Sequence, residues 1–240
     1  MQVQLFIPCF VDQLFPYTAF NMVKVLEKLG CTVKYNENQT CCGQPAFNAG
    51  FWDESKSVCE KFIIENSGSD DPIVSPSASC TGFVRNYYPK LFDNSSVHNE
   101  VKDLRSRTYE FSEFLVNVLK VEKLGACLPV KATYHDSCAA LRECRIKEEP
   151  RKLLANVAGL ELAEMEDVET CCGFGGTFAV KYEPISIAMA EQKVNNAQKT
   201  GATCIISTDL SCLMHLDGYI RNKNLPIKTM HIADVLASGW

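Results

Sequence analysis

Four cysteines occur twice in the same pattern. Cys9, Cys41, Cys42 and Cys80 are followed by Cys138, Cys171, Cys172 and Cys212 at offsets of 129, 130, 130 and 132 residues. Both adjacent pairs stand between threonine and glycine, as Thr40-Cys41-Cys42-Gly43 and Thr170-Cys171-Cys172-Gly173. A thiolate is a soft metal ligand and a redox-active nucleophile, so such sets can hold an ion, hold a cluster or cycle between thiol and disulfide. Of the thirteen cysteines, the other five are Cys31, Cys59, Cys127, Cys144 and Cys204, and none has a cysteine at the matching place in the other half. Those five read as small buried hydrophobes, a role free cysteine fills well. The eight in phase read as ligands.

Three chemistries compete for the eight. Zinc takes four thiolates tetrahedrally, commonly from Cys-x-x-Cys-type pairs that reach one small ion without strain. Adjacent cysteines project apart and more easily reach two irons of a cluster. Glycine after each pair permits φ > 0 and turns backbone N–H groups toward sulfur, which tunes reduction potential. The expectation is one iron–sulfur cluster on Cys9, Cys41, Cys42 and Cys80 and another on Cys138, Cys171, Cys172 and Cys212. A zinc site and a metal-free thiol–disulfide site stay open on these residues.

The loops that carry the thiols need elements to hold them. Residues 3–7 read as a buried strand, and 131–135 occupy its place in the second half. Phe20, Val23, Leu26 and Leu29 mark an amphipathic helix that Gly30 ends, and Leu153, Leu154 and Val157 do the same before Gly159. Short strands follow at 31–35 and 160–165, then the Cys-Cys-Gly loops. Helices come next near 52–66 and 185–199, the second with Ile187, Ala190, Val194 and Ala197 on one face. The β-branched strands 73–75 and 204–207 run straight into the Cys80 and Cys212 loops. Residues 108–115 echo 229–236 at an offset of 121, so the first half carries eleven extra residues after Cys80. Strands alternating with helices imply parallel sheets whose carboxyl-end loops carry function. The expected fold is α/β, with two tandem pseudo-symmetric Rossmann-like units, residues 1–125 and 126–240. Packed face to face, they would be related by a pseudo-twofold axis.

Composition narrows the setting. With 240 residues, 46% of them hydrophobic, the chain can bury a real core. A net charge of −5 without Lys/Arg clusters gives no electrostatic footprint for nucleic acid or an anionic membrane. No apolar run is long enough to cross a bilayer, and the start lacks the charged region of a signal peptide. An odd cysteine count then argues against a disulfide framework, and a cytoplasmic location is expected.

Outside the eight thiols, His135 precedes Cys138 by three residues, and imidazole can ligate iron or carry protons beside it. His231 at a strand end reads as a structural histidine, and His98 and His215 as surface or helix residues. Asp209, three residues before Cys212, could supply an oxygen ligand, although a strand-end aspartate commonly caps the next helix. Gly173-Phe174-Gly175-Gly176 lacks dinucleotide-loop spacing and reads as backbone packed around sulfur, so no nicotinamide site is expected. The charged segment 142–151 reads as a solvated face.

The arrangement Cys-x31-Cys-Cys-Gly, then Cys80, and a second round ending Cys171-Cys172-Gly173-Phe174-Gly175-Gly176-Thr177-Phe178 resembles the CCG, or cysteine-rich-domain, family of iron–sulfur oxidoreductase subunits. One of the subunits of heterodisulfide reductase belongs there. Cys42-Gly43-Gln44-Pro45-Ala46, Ser75-Pro76-Ser77 and Met230-His231-Ile232-Ala233 bring the chain nearest that family's lactate-oxidising members. The resemblance implies an electron-transfer subunit acting with two partner proteins, one a further iron–sulfur protein, in oxidising L-lactate to pyruvate. It also brings a heterodisulfide-reductase-like catalytic subunit into consideration as an alternative; no catalytic residue is assigned. The wider family often closes each motif with Cys-x-x-Cys, but here those positions read Ser77-x-x-Cys80 and Asp209-x-x-Cys212. Four thiolates per half suit an ordinary [4Fe–4S] cluster.

Overall fold

Alternating strand and helix segments settle into two four-stranded, wholly parallel sheets in a computed structural model that describes residues 1–240. The first half runs β1 (Gln2–Leu5), α1 (Cys9–Leu14), α2 (Pro16–Lys28), β2 (Thr32–Tyr35), α3 (Gln44–Ala49), α4 (Trp52–Asn66) and β3 (Ile73–Ser75). It continues through α5 (Ala78–Asn86), α6 (Tyr88–Leu91), α7 (His98–Arg107), β4 (Thr108–Glu110) and α8 (Phe111–Glu113). The second half runs β5 (Cys127–Tyr134), α9 (Glu148–Leu154), β6 (Ala158–Leu162), α10 (Thr177–Lys181), α11 (Glu183–Lys199), β7 (Cys204–Ser207), α12 (Leu210–Asn222), β8 (Lys228–His231) and α13 (Ile232–Leu236). π-Helical turns follow α8 (Phe114–Val118) and β5 (Ala139–Cys144). The first half's surplus lies between α5 and β4, where it makes α6 and α7 and the second half makes only a turn.

The sheet orders are β2-β1-β3-β4 and β6-β5-β7-β8, the same order twice. Each is the Rossmann-like unit expected. Strand order reverses between β1 and β3, and again between β5 and β7, which opens a crevice beyond their carboxyl ends. Cys9 follows β1 and Cys80 follows β3; Cys138 follows β5 and Cys212 follows β7. Two thiols of each set are therefore placed by topology alone.

One hydrophobic core of 38 buried residues draws on both sheets, from Val3, Val74 and Phe111 to Tyr134, Ile206 and Val235. The halves also meet through polar contacts at their loop ends. Ser77 and Asp209, equivalent positions of the repeat, form an antiparallel bridge, as a twofold relation between the halves requires. The Ser79 N–H donates to Asp209 Oδ2 at 2.8 Å, and α10 packs on α3, so the two cysteine-bearing loop clusters face one another.

Two helix faces differ from the sequence reading. α2 buries Thr18, Met22, Val25 and Leu26 against α13 and the core, and leaves Phe20 64% exposed. Phe20 lies two residues before Met22, about 200° around the helix, so both cannot face inward. In α11 the buried stripe is Ser186, Ala190, Lys193, Val194 and Ala197, while Ile187 is 42% exposed at its edge. The segment 142–151 is also not wholly solvated. Arg151 turns inward to hold the buried Asp136 through two bonds of 2.9 Å, and Glu164 through bonds of 2.7 and 3.0 Å.

Glu110 closes β4 and is fully buried. Its Oε2 accepts from the backbone N–H of Ser112 (2.8 Å) and Glu113 (3.2 Å), capping α8, while Oε1 has no partner. Burial pushes this carboxyl up to about 8, against the bond from Ser112, which pulls it down. The native state therefore binds a proton that the unfolded chain releases near 4.5. Stability from this group is intact below that value and drains away as pH rises to about 8, by at most about 1.4 kcal/mol per pH unit. Glu110→Gln keeps the acceptor oxygen and the neutral form, so it is expected to abolish that slope and to exceed the parent in stability on the alkaline side. Urea unfolding across a pH series checks this; parallel curves for the two proteins would mean that Glu110 is ionised in the fold.

Candidate metal centres

Each centre takes its thiols from three loops. In the first, Cys9 opens α1, Cys41 and Cys42 fill the turn before α3, and Cys80 sits in the first turn of α5, its N–H directed to the Ser77 side chain at 3.4 Å. In the second, Cys138 follows β5, Cys171 and Cys172 precede the glycine loop, and Cys212 lies in the first turn of α12. Cys9 is exposed, Cys41, Cys138 and Cys171 are half-buried, and the inner pairs Cys42/Cys80 and Cys172/Cys212 are buried. The structure thus brings each in-phase set together.

The thiols interact in order along each set. Hydrogen bonds from Cys42 and Cys9, helped by the N–H groups of Gly43 and Cys42, hold Cys41 down to about 3. Bonds from Cys138 and Cys172, with the Gly173 N–H, hold Cys171 down to about 2. Their neighbours move the other way. Cys9 and Cys138 are pushed up chiefly by their bonds to Cys41 and Cys171, then by burial. Cys42 and Cys172 are pushed up by their bonds to Cys41 and Cys171, then to Cys80 and Cys212. At Cys212 the bond to Cys172 pulls downward, but burial and the nearby Asp209 and Cys171 outweigh it. Sulfurs this close compete for few protons, and a cation shared among them relieves the competition.

The glycines are required by space as well as by backbone. Gly43 has φ +91° and Gly173 φ +95°. A Cβ on Gly43 would stand 2.8 Å from Cys59 Sγ and 3.0 Å from Ser55 O; on Gly173, 2.7 Å from Ser186 O and 2.8 Å from Met189 Cβ. The Gly173 N–H points at Cys171 Sγ, 3.4 Å away. Each turn is then pinned by a serine of the next helix, Ser55 Oγ donating to Gly43 O (2.9 Å) and Ser186 Oγ to Gly173 O (2.8 Å). Sequence reasoning passed over this pair, although both serines follow the glycines at nearly equal distance.

The remaining candidates separate. His135 is pinned by its backbone, its N–H donating to Ile206 O (2.8 Å) and its carbonyl accepting from Ser207 Oγ (2.9 Å). Its ring is fully buried, and neither nitrogen has a partner. One ring nitrogen and the sulfurs of Cys172 and Cys212 all lie within 4.8 Å of one another. Burial first, then Lys193, drops its pKa to about 3, so the ring is neutral and free to ligate or to donate one N–H. An orphaned imidazole aimed at two thiols is an incomplete coordination site by its own chemistry. His231 instead caps α13, its Nδ1 accepting from Ala233 N at 3.1 Å. Asp209 caps α12: Oδ1 accepts from Ser211, and Oδ2 is taken by Ser79 N.

Two further residues touch the first centre without joining it. Cys59, fully buried on α4, directs its thiol at Cys42 O (3.3 Å), and Tyr88 Oη donates to the same oxygen at 2.8 Å. They fix the backbone that aims Cys42. Cys144, also out of phase, packs at the seam with its thiol 3.4 Å from Ala78 O.

Comparison with known proteins agrees with this reading of the repeat. The CCG cysteine-rich domain matches residues 3–85 and 132–217, one match per half. Lactate utilization protein A of Halalkalibacterium halodurans is 45% identical over 236 residues, covering 98% of this chain and 96% of the relative. The protein of the same name from Bacillus subtilis is 44% identical over 239 residues, covering 99% and 100%. A crystal structure of a hypothetical protein from Helicobacter pylori superposes with a TM-score of 0.58 at 12% identity, over all of this chain and 49% of that one, and shares the fold. No helix of this chain is long and apolar enough to cross a membrane.

Proposed function

Because the chain belongs to the CCG cysteine-rich-domain family, we propose that it is the iron–sulfur electron-transfer subunit of a lactate-oxidising system, acting beside two partner subunits. The observation that carries this is the convergence of four thiols in each half, on loops facing across one seam. Residues 1–125 and 126–240 would each bring one centre. Oxidation of L-lactate to pyruvate releases two electrons and two protons, and a [4Fe–4S] cluster held by each half would supply one-electron carrier chemistry for that pair.

The chain's own residues do the rest. Cys9, Cys41, Cys42 and Cys80 would hold the first centre, and Cys138, Cys171, Cys172 and Cys212 the second. The vicinal pairs would each supply two adjacent thiolates to their centre, while the Gly43 and Gly173 turns bring backbone close to sulfur. Cys9, the exposed thiol of the first set, would mark the side by which electrons enter or leave that centre.

Protein purified without oxygen is expected to be brown and to contain iron and acid-labile sulfide in near-equal amounts. Zinc is the competing occupant, favoured by the close His135, Cys172 and Cys212 trio, a donor set that suits a tetrahedral ion. Colourless anaerobic protein with stoichiometric zinc would replace the iron–sulfur reading by that one.

A further inference from the structure

The two centres share a ligand pattern but not a shell. His135 stands three residues before Cys138, and Phe6 stands three before Cys9. Lys193 stands seven residues after Ser186, the serine that pins the second glycine turn, and Phe62 stands seven after Ser55, which pins the first. In the first half these positions form an aromatic pair, Phe6 on Phe62 with ring centroids 4.6 Å apart, inside an apolar cluster with Cys42, Cys59 and Cys80. In the second half the same two places hold an imidazole and an ammonium.

Lys193 is 1% exposed. Its Nζ donates to the carbonyls of Asp167 (2.6 Å) and Val168 (3.1 Å), in the stretch leading to Cys171. It forms no salt bridge, and its charge acts on Cys171, Cys172 and His135 as well as on the carboxylates of Asp167 and Asp136. Asp136 is matched by the Arg151 fork. Asp209 lies at the seam and acts on Cys138 and Cys212 against the lysine, its charge spread over bonds from the Ser79 and Ser211 N–H groups. The buried groups that set the centres apart are the His135/Lys193 pair against Phe6/Phe62, with Asp209 opposing the lysine at the second.

Resting on the iron–sulfur reading above, we infer that Lys193 and His135 make the second centre the higher-potential site, where the first electron comes to rest, while the Phe6/Phe62 shell keeps the first centre the stronger reductant. A buried cation and an N–H donor favour the state with one more negative charge, and an apolar shell disfavours it. The chain is then a directed relay.

Potentiometric titration followed by electron paramagnetic resonance tests this on three anaerobic proteins. Cys172→Ser retains only the first centre, Cys42→Ser only the second, and the parent both. The second centre is expected to take its electron in preference to the first by at least a factor of about ten, 59 mV for a one-electron couple. Lys193→Met, which keeps the length and removes the charge, should lower the potential of the second centre and leave the first unmoved. His135→Phe, which installs the first half's residue, should act in the same direction and covers the case in which the lysine variant does not fold. Equal potentials in the two single-centre proteins, or variants that move neither, with iron content intact, overturn the inference alone. Protein that binds no iron overturns the reading beneath it as well.

Discussion

Replacing Cys172 with serine is expected to strip the second centre of metal, leaving roughly half the iron per chain, and to abolish lactate-dependent growth of a host that relies on this chain. Cys172 is buried between Cys171 and Cys212, so no other thiol can take its place. A serine hydroxyl is a hard, weakly acidic donor and replaces a soft thiolate poorly. The fold should survive, because both sheets keep the rest of the 38-residue core, of which Cys172 is one member. Cys59→Ala is the matched control. It removes a buried sulfur from α4 at a cost of roughly 1–2 kcal/mol in a small cavity. Tyr88 continues to hold Cys42 O, so the first centre should keep its iron. Iron per chain and growth on L-lactate, measured on both variants side by side, decide the matter. If Cys59→Ala loses iron as completely as Cys172→Ser, position in the repeat does not identify ligands.

Gly173→Ala should cost nearly as much by a different route. A side chain there meets Ser186 O at 2.7 Å and Met189 Cβ at 2.8 Å, and backbone oxygen cannot step aside. Overpacking of that kind costs about 1–3 kcal/mol, and a non-glycine residue held at φ +95° adds a penalty of about the same size. The cheapest relief is for the turn to swing away from α11. That breaks the Ser186 clamp and withdraws the Gly173 N–H from Cys171, so the second centre should load poorly even with all four thiols present. Gly30→Ala separates strain from crowding. Gly30 has φ +78° but open space where its Cβ would be, so that variant should lose some stability and no metal. Iron content after identical anaerobic reconstitution, with thermal unfolding alongside, distinguishes the two; equal iron in both would detach the glycine turn from metal binding.

Much of this was legible in the chain as written. The in-phase cysteines, the glycine after each pair and the β-branched runs leading into Cys80 and Cys212 are local features, and a repeat makes each readable twice. Once strands and helices alternate, handed crossovers leave few ways to connect them, so the parallel sheets and the gathering of Cys9 with Cys80, and Cys138 with Cys212, followed from order alone. The helices near 52–66 and 185–199 were legible for the same reason.

What the linear pattern left undecided is which side chains turn inward. Phe20 and Met22 are both apolar and two residues apart, and α13, distant in sequence, selects Met22 as the buried one. Lys193 carries a charge, and composition alone assigns such a residue to solvent; only the Asp167 and Val168 carbonyls from a remote loop make its burial affordable. His135 was a candidate by spacing, yet that its ring has no partner except thiols depends on β7 holding its backbone from the other side. Arg151 reads as surface until Asp136 and Glu164 meet it. The in-phase thiol pattern and the topology therefore belong to the sequence, because bond geometry and short-range backbone preference act within a few residues. The unequal shells of the two centres belong to the tertiary structure, because desolvation and Coulomb interaction depend on neighbours that only folding brings within a few ångströms.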